Sequence, residues 1–413
     1  MEQEYLTPAV EETTGEPTEE RRPLPRRARR AIVAGLWVLS LLLTAVGVFL
    51  FTRYAVPTEA ETLSEALSII RKSYFYYDAK QDQLVDGAIA GMADSLGDVY
   101  SRYYTEEEYA ALNQSNSGYY VGLGITVLSH GTGSFEITTV LADGPAEKAG
   151  VQVGDWLRAI NGVSAEDQEL GAFLSNVKTE NGAENTLVLE RDGQTLTISV
   201  VAEQVYVPTV AYRMQTDTIG YIRLSGFHGE CVTEMKEAIE DLREQGMQSL
   251  ILDIRGNLGG SLYDALDIAD LFLSKDLIIT SLRSREETTV EYKTKTAGYV
   301  FPLVLLVNGR SASASELVTG ALKDHGRAYV IGTQTYGKGI VQTYLPVTGT
   351  GGYIKLTTEA YYTPSGVCIQ GVGITPNEVV ENPPESDGYS PENIPFEIDL
   401  QLQAAIAYLM QSA

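Results

Sequence analysis

Histidine and cysteine are almost absent from this chain, and their scarcity removes several chemistries at once. Among 413 residues there are three histidines, His130, His228 and His325, and two cysteines, Cys231 and Cys368. Two thiols are too few for a disulfide scaffold and lack metal-ligand spacing, so they read as small buried hydrophobes. No metal and no cofactor is expected. Positive charge is short as well, with 30 Lys and Arg against 55 Asp and Glu, a net charge of -25. Such a surface repels phosphate and argues against nucleic acid as a partner. Apolar residues are plentiful at 44%, enough to bury a core in two or three compact units.

One long stretch has no charge at all. Seven glutamates fall in the first twenty residues and six arginines in RRPLPRRARR (21–30), after which AIVAGLWVLSLLLTAVGVFLF runs over 31–51. As a helix this segment spans about 31 Å, enough for a hydrocarbon core of about 30 Å. Arginines before it, against a lone Arg53 after it, favour a cytoplasmic N-terminus. The expectation is a cytoplasmic tail over 1–30, a transmembrane helix over 31–51, and the rest outside the cytoplasm at the cell membrane. A cleaved signal peptide is the competing reading, but the run exceeds the usual apolar region and no small-x-small site closes it.

Beyond the membrane the texture changes three times. Over 58–115 apolar residues recur at helical spacing, as in Leu63, Leu67, Ile70 and Tyr74, which predicts a helical unit suited to packing or a homodimer contact. Over 118–203 come short β-rich runs with glycine turns, among them GYYVGLGITVLS, SFEITTVL and NTLVLERDG. Between them ADGPAEKAG frames a short helix, with Pro145 in its first turn and Gly150 at its end. Over 205–380 strand-like IGYIRLSGF, SLILDI and FPLVLLVNG alternate with helical patterns, which predicts α/β layers around a buried sheet. A Pro- and acid-rich linker and a last helix, DLQLQAAIAYLM, complete 381–413. Function in such folds gathers in loops at strand ends, and two glycine-rich loops, RGNLGG and GRSASAS, follow apolar strands.

The second loop opens SASASELVTGALKDHGRAYVIGTQTYGKGIVQ (311–342). A serine needs a general base to become a nucleophile. The nearby histidine, His325, falls three turns along a helix from the serines and is badly placed to serve them. A lysine can do so if burial strips its proton near neutral pH. Lys338, after the apolar AYVIG and between Gly337 and Gly339, is better placed for that than Lys323, which adjoins Asp324.

These motifs, SASASE, ALKDHGRA, IGTQTYGKGIVQ and YYTPSGVCIQGVGITP (361–376), resemble those of the carboxyl-terminal processing peptidases, or tail-specific proteases. The segment over 118–203 is similar to a PDZ domain, with GLGI as its carboxylate-binding loop. The resemblance implies a ClpP/crotonase-like protease core with an inserted PDZ domain. It implies Ser313 as nucleophile, Lys338 as base and Gln342 as the group that orients the lysine. It further implies an oxyanion site at the amides of Ala314 and Gly259, and a tail site over Gly122, Leu123, Gly124 and Ile125. Where relatives read LDPHS, this chain has LGDVYS (96–101), a departure that bears on local packing. The expected function is a membrane-anchored serine endopeptidase that takes protein substrates by free, apolar C-terminal tails. A catalytically silent PDZ scaffold is the alternative, and a crotonase-like acyl-transfer enzyme a third; the intact Ser313, Lys338 and Gln342 weigh against the scaffold.

Overall fold

The computed structural model describes residues 25–55, 58–76 and 80–412. The chain divides between Leu84 and Val85 into two units, described separately below. In the first, a helix covers Arg26–Ala55 and another Thr58–Ser73. Arg27–Phe49 is long and apolar enough to cross a membrane, and its apolar side chains face outward. Residues 1–24, most of the expected cytoplasmic tail, lie outside the described residues.

The second unit is built on a six-stranded sheet in the order Val210–Met214, Ile219–Leu224, Ser249–Asp253, Leu303–Val307, Tyr329–Gly332 and Glu378–Val379. Only the first pairing is antiparallel. Leu303–Val307 lies between parallel neighbours and all five of its residues are buried, which is why LVLLV reads as a continuous apolar run without alternation. Three helices, Cys231–Glu244, Leu262–Asp270 and Ala314–Asp324, cover one face through Met235, Ile239, Ile268 and Val318. The final helix, Leu400–Ser412, covers the other with Leu402, Ala405 and Leu409 on Tyr221, Ile251 and Leu306. The Pro- and acid-rich stretch before it carries three short 3-10 turns and bonds to the core, Glu392 meeting Arg223 at 3.2 Å.

A second, antiparallel sheet sits beyond the three helices, in the order Arg102–Tyr104, Tyr353–Tyr362, Ile278–Ser284 and Thr289–Lys293, with Ile340–Pro346 also paired to Tyr353–Tyr362. Leu282 and Tyr361 join it to the helical layer.

The glycine-rich segment forms its own sheet, Ile125–Ser129, Phe135–Val140, Trp156–Ile160, Glu184–Arg191 and Gln194–Val201 in spatial order, around Phe135, Ile137, Leu157, Phe173 and Leu187. Its short helix, Pro145–Lys148, has Pro145 in the first turn, and Gly150 follows at φ +91°. The strands that enter and leave the segment, Tyr119–Gly122 and Glu203–Tyr206, pair antiparallel, so the insertion begins and ends at one place.

Candidate active site

Loops that leave the C-terminal ends of two central strands meet at one edge of the sheet. Ser311 and Ser315, both fully buried, bind them together: the Ser311 hydroxyl donates to the Ile254 carbonyl at 2.8 Å and the Ser315 hydroxyl to the Asn257 carbonyl at 2.8 Å. The Ala312 amide donates to the Asn257 carbonyl at 3.0 Å. The alternating serines therefore divide in role. The outer two fix the loops, while Ser313 lines a cavity of about 970 Å³.

Ser313 has φ 57° and ψ -115°, directly before the helix Ala314–Asp324. A non-glycine residue in that region carries strain of about 1–3 kcal/mol, which persists only where its surroundings hold it. Glu316 does the holding. Its fully buried carboxylate accepts the Ser313 amide at 2.9 Å, the Lys338 amide at 2.8 Å, the Gly337 amide at 2.6 Å and the Thr335 hydroxyl at 2.6 Å. Four donors satisfy the group, and their source ties the backbone of the serine to that of the lysine. Tyr361 makes a second tie, its hydroxyl lying 2.9 Å from the Ser313 carbonyl and 2.7 Å from that of Lys338. Sequence reasoning passed over both residues. Glu316 had a signal, because Ser-x-x-Glu at the start of a helix is the capping-box pattern; Tyr361 opens the motif YYTPSGV, but nothing local placed it beside the serine.

Lys338 lines the same cavity, half-buried. Burial pushes its amine below the ordinary lysine range and nearby Lys355 adds to that, while Asp98 and Glu316 oppose. Its Nζ stands 4.6 Å from the centre of the Tyr100 ring. Among the described residues, no hydrogen bond joins it to Ser313 Oγ. Gly337 has φ +91°, and a Cβ there would come within 2.9 Å of the Gly373 amide, so the loop before Lys338 requires glycine at that point. Gln342 also lines the cavity; its Nε2 donates to Thr357 Oγ1 at 3.3 Å, across a pair of strands whose register shifts at Val341 and Gln342.

Of the two expected oxyanion donors, Ala314 is the first residue of its helix, so its amide is among those a helix leaves unpaired. Gly259 lies against it: an added Cβ would stand 2.9 Å from Ser313 Cβ and 3.0 Å from the Ala314 amide nitrogen. The Gly259 amide itself is engaged, donating to Asn257 Oδ1 at 2.9 Å. His325 Nε2 contacts the Ile278 carbonyl at 2.7 Å and His130 contacts Glu136 at 2.7 Å. His228 lines the cavity, and its Nδ1 is buried with no partner among the described residues.

In the inserted sheet, Gly122, Leu123, Gly124 and Ile125 lead into Ile125–Ser129, an edge strand. The carbonyls of Leu123 and Gly124 accept the amides of Ala146 and Leu141 at 3.0 and 2.9 Å. The Tyr120 ring lies over Gly122, where it would collide with any added Cβ.

Comparison with known proteins gives this geometry a family. Residues 218–380 match the profile of Peptidase family S41, 136–191 that of a PDZ domain, and 52–108 the N-terminal domain of the activating protease CtpB. The chain is 38% identical over 317 residues to a carboxy-terminal-processing protease of Bartonella bacilliformis, covering 75% of this chain and 72% of that one. It is 30% identical over 362 residues to a protein of Staphylococcus aureus named as a probable CtpA-like serine protease, covering 86% of this chain and 72% of that one. A crystal structure of a Bacteroides fragilis protein assigned to the S41 proteases shares the fold, at 17% identity and a TM-score of 0.52, over 84% of this chain and 97% of that one. The chain belongs to the carboxy-terminal-processing proteases, serine peptidases of family S41 that carry a PDZ domain.

Proposed function

We propose that this peptidase works with a Ser-Lys dyad, Ser313 as nucleophile and Lys338 as base, on substrates whose C-terminal tails the PDZ domain captures. The observation that carries the reading is the double tether of serine and lysine backbones by Glu316 and Tyr361 at the wall of one cavity. Ser313 Oγ adds to the scissile carbonyl carbon as its proton passes to Lys338 Nζ. The oxygen that becomes negative is met by the Ala314 amide at the helix N-terminus, with the amide of Gly259 once it turns from Asn257. Lys338 then gives its proton to the leaving amine and, neutral again, takes one from the water that cleaves the acyl-enzyme. To begin, Nζ must leave the Tyr100 ring, and Gln342 would orient it.

The division into a tail over 1–30, a membrane helix over 31–51, a helical unit over 58–115, a PDZ domain over 118–203, a catalytic core over 205–380 and a C-terminal segment over 381–413 is part of this reading. So is the likeness of the core's sheet, helix and sheet layers to ClpP and crotonase folds. With the arginine cluster on the inner side, Arg27–Phe49 would anchor the enzyme in the cell membrane with the protease outside. External protease added to intact spheroplasts should then digest everything beyond residue 53 and spare the acidic tail; a protected catalytic domain would reverse the topology, and a freely soluble mature enzyme would make the helix a signal sequence.

Tail selection has its own test. The loop over Gly122–Ile125 would hold a chain-terminal carboxylate on backbone amides while edge strand Ile125–Ser129 pairs with the tail. Amidating the C-terminus of an unfolded reporter substrate removes the charge those amides complement. Its kcat/KM should fall about tenfold or more, mainly through KM. Equal rates for free-acid and amidated forms would leave the PDZ domain as a spacer.

A further inference from the structure

The segment LGDVYS, whose departure from its relatives' pattern bore on local packing more than on catalysis when read as sequence, lies beside Lys338. Asp98 accepts three hydrogen bonds: the Ser101 hydroxyl at 2.6 Å, the Thr357 hydroxyl at 2.7 Å and the Tyr100 amide at 3.0 Å. The Ser101 hydroxyl oxygen accepts the Thr357 amide at 3.1 Å, so the turn grips Thr357 by both backbone and side chain. Thr357 Oγ1 in turn accepts from Gln342 Nε2 at 3.3 Å. Between Asp98 and Ser101, Tyr100 faces Lys338, its ring centre 4.6 Å from Nζ.

We propose that the turn Asp98–Ser101 is a positioning device for the base, setting the direction of the Gln342 amide through Thr357 and holding the Lys338 side chain on the face of Tyr100. The inference rests on Lys338 being the base. An ionised carboxylate accepts and never donates, so the hydroxyl proton of Thr357 must point at Asp98. The oxygen then has only lone pairs to offer Gln342, which must present its NH₂ there. Its carbonyl oxygen is left as the end that can accept a hydrogen bond from a lysine amine. One carboxylate thereby fixes the sense of a chain of three groups, and the residue that would orient the lysine becomes unable to flip.

The Tyr100 face attracts an ammonium and has no such hold on a neutral amine. It therefore favours the charged lysine at rest, against burial and Lys355, and on the same side as Asp98 and Glu316. The catalytic form is the neutral amine, so kcat/KM rises with pH through the lysine's pKa. Loss of the ring should lower that pKa and move the acid limb to lower pH.

The test uses the full-length enzyme in detergent, with active serines counted by a covalent serine-hydrolase probe. Thr357→Val, which keeps the shape and removes the relay, should lower kcat about ten- to a hundredfold with little change in KM, and Thr357→Ser should restore it. Combined with Gln342→Ala it should cost no more than Gln342→Ala alone. Tyr100→Leu should shift the acid limb of kcat/KM down by about half a pH unit or more, and Tyr100→Phe should keep it in place. A purely structural role for the turn would lower Tm in Thr357→Val and Tyr100→Leu and move neither the pH limb nor the kcat-to-KM split. Additive losses for Thr357→Val and Gln342→Ala together with an unmoved limb in Tyr100→Leu would overturn the proposal. Lys338→Ala, measured alongside, separates the two failures: turnover retained there removes the base assignment itself, whereas turnover lost there confines the failure to the positioning role.

Discussion

Ser313→Ala and Lys338→Ala should each lose at least about four orders of magnitude in kcat, and the double variant should be no worse than either, because nucleophile and base act as one unit. Lys338→Arg should be as inactive, since a guanidinium does not give up its proton in a protein. The lysine must be neutral to act, so kcat/KM should rise with pH. The rise should be centred below the ordinary lysine range, because burial and then Lys355 lower the amine's pKa. His325→Ala, with its imidazole on the Ile278 carbonyl, should keep most of its turnover. The measurement that decides is steady-state cleavage of an unfolded substrate, normalised to folded enzyme. His228 gives the experiment its second arm, because it shares the cavity with Ser313 and has an unpartnered buried nitrogen. Turnover lost in His228→Ala and kept in Lys338→Ala would move the base to the histidine.

What the sequence disclosed followed the physical strength of each pattern. The buried parallel strands and the helices on them were legible because apolar runs such as LVLLV, and helical spacing such as that of Met235, Ile239 and Leu242, answer directly to burial. The second sheet was not. Nine of the ten residues of Tyr353–Tyr362 are neither fully buried nor exposed, so no alternation marked it as a strand. The same limit hid the turn at Asp98, whose bonds to Thr357 span most of the chain. In the site, Lys338 stood out by residue type and glycine flanks, whereas Ser313 was singled out among the serines by the family resemblance. Of the parts that hold them, Glu316 had its capping-box pattern, whereas Tyr361 and Thr357 act through long-range contacts. The stretch 381–395 looked like a tether because proline and acid are usual in linkers, yet Glu392 bonds to buried Arg223.

That C-terminal attachment yields the largest stability change to be expected. Arg255 follows the central strand Ser249–Asp253, opens the RGNLGG loop, and is 1% exposed. Its guanidinium bonds to Asp253 at 2.6 Å, to both oxygens of Asp399 at 2.7 and 3.0 Å, and to Gln401 Oε1 at 3.0 Å; Tyr221 donates a further bond to Asp253 at 2.8 Å. Asp399 also accepts the Leu402 amide at 3.1 Å, so one carboxylate joins the arginine to the first turn of the final helix. A buried pair gains little over apolar residues of the same shape, but removing one partner strands the other charge in a medium that cannot solvate it. Arg255→Met leaves two carboxylates without their cation and should cost about 3–5 kcal/mol. The same loss should loosen the loop that carries Asn257 and Gly259, and with it the packing against Ser313, so turnover should fall before the enzyme unfolds. Denaturant unfolding checks the first effect and steady-state turnover the second, while hydrogen exchange on Leu400–Ser412 reads the attachment itself, where protection should drop in Arg255→Met and in Asp399→Ala alike. If Arg255→Met unfolds at the wild-type denaturant concentration, the ion cluster contributes nothing to holding the C-terminal helix on the sheet. Its apolar contacts through Leu402, Ala405 and Leu409 would then carry the attachment alone.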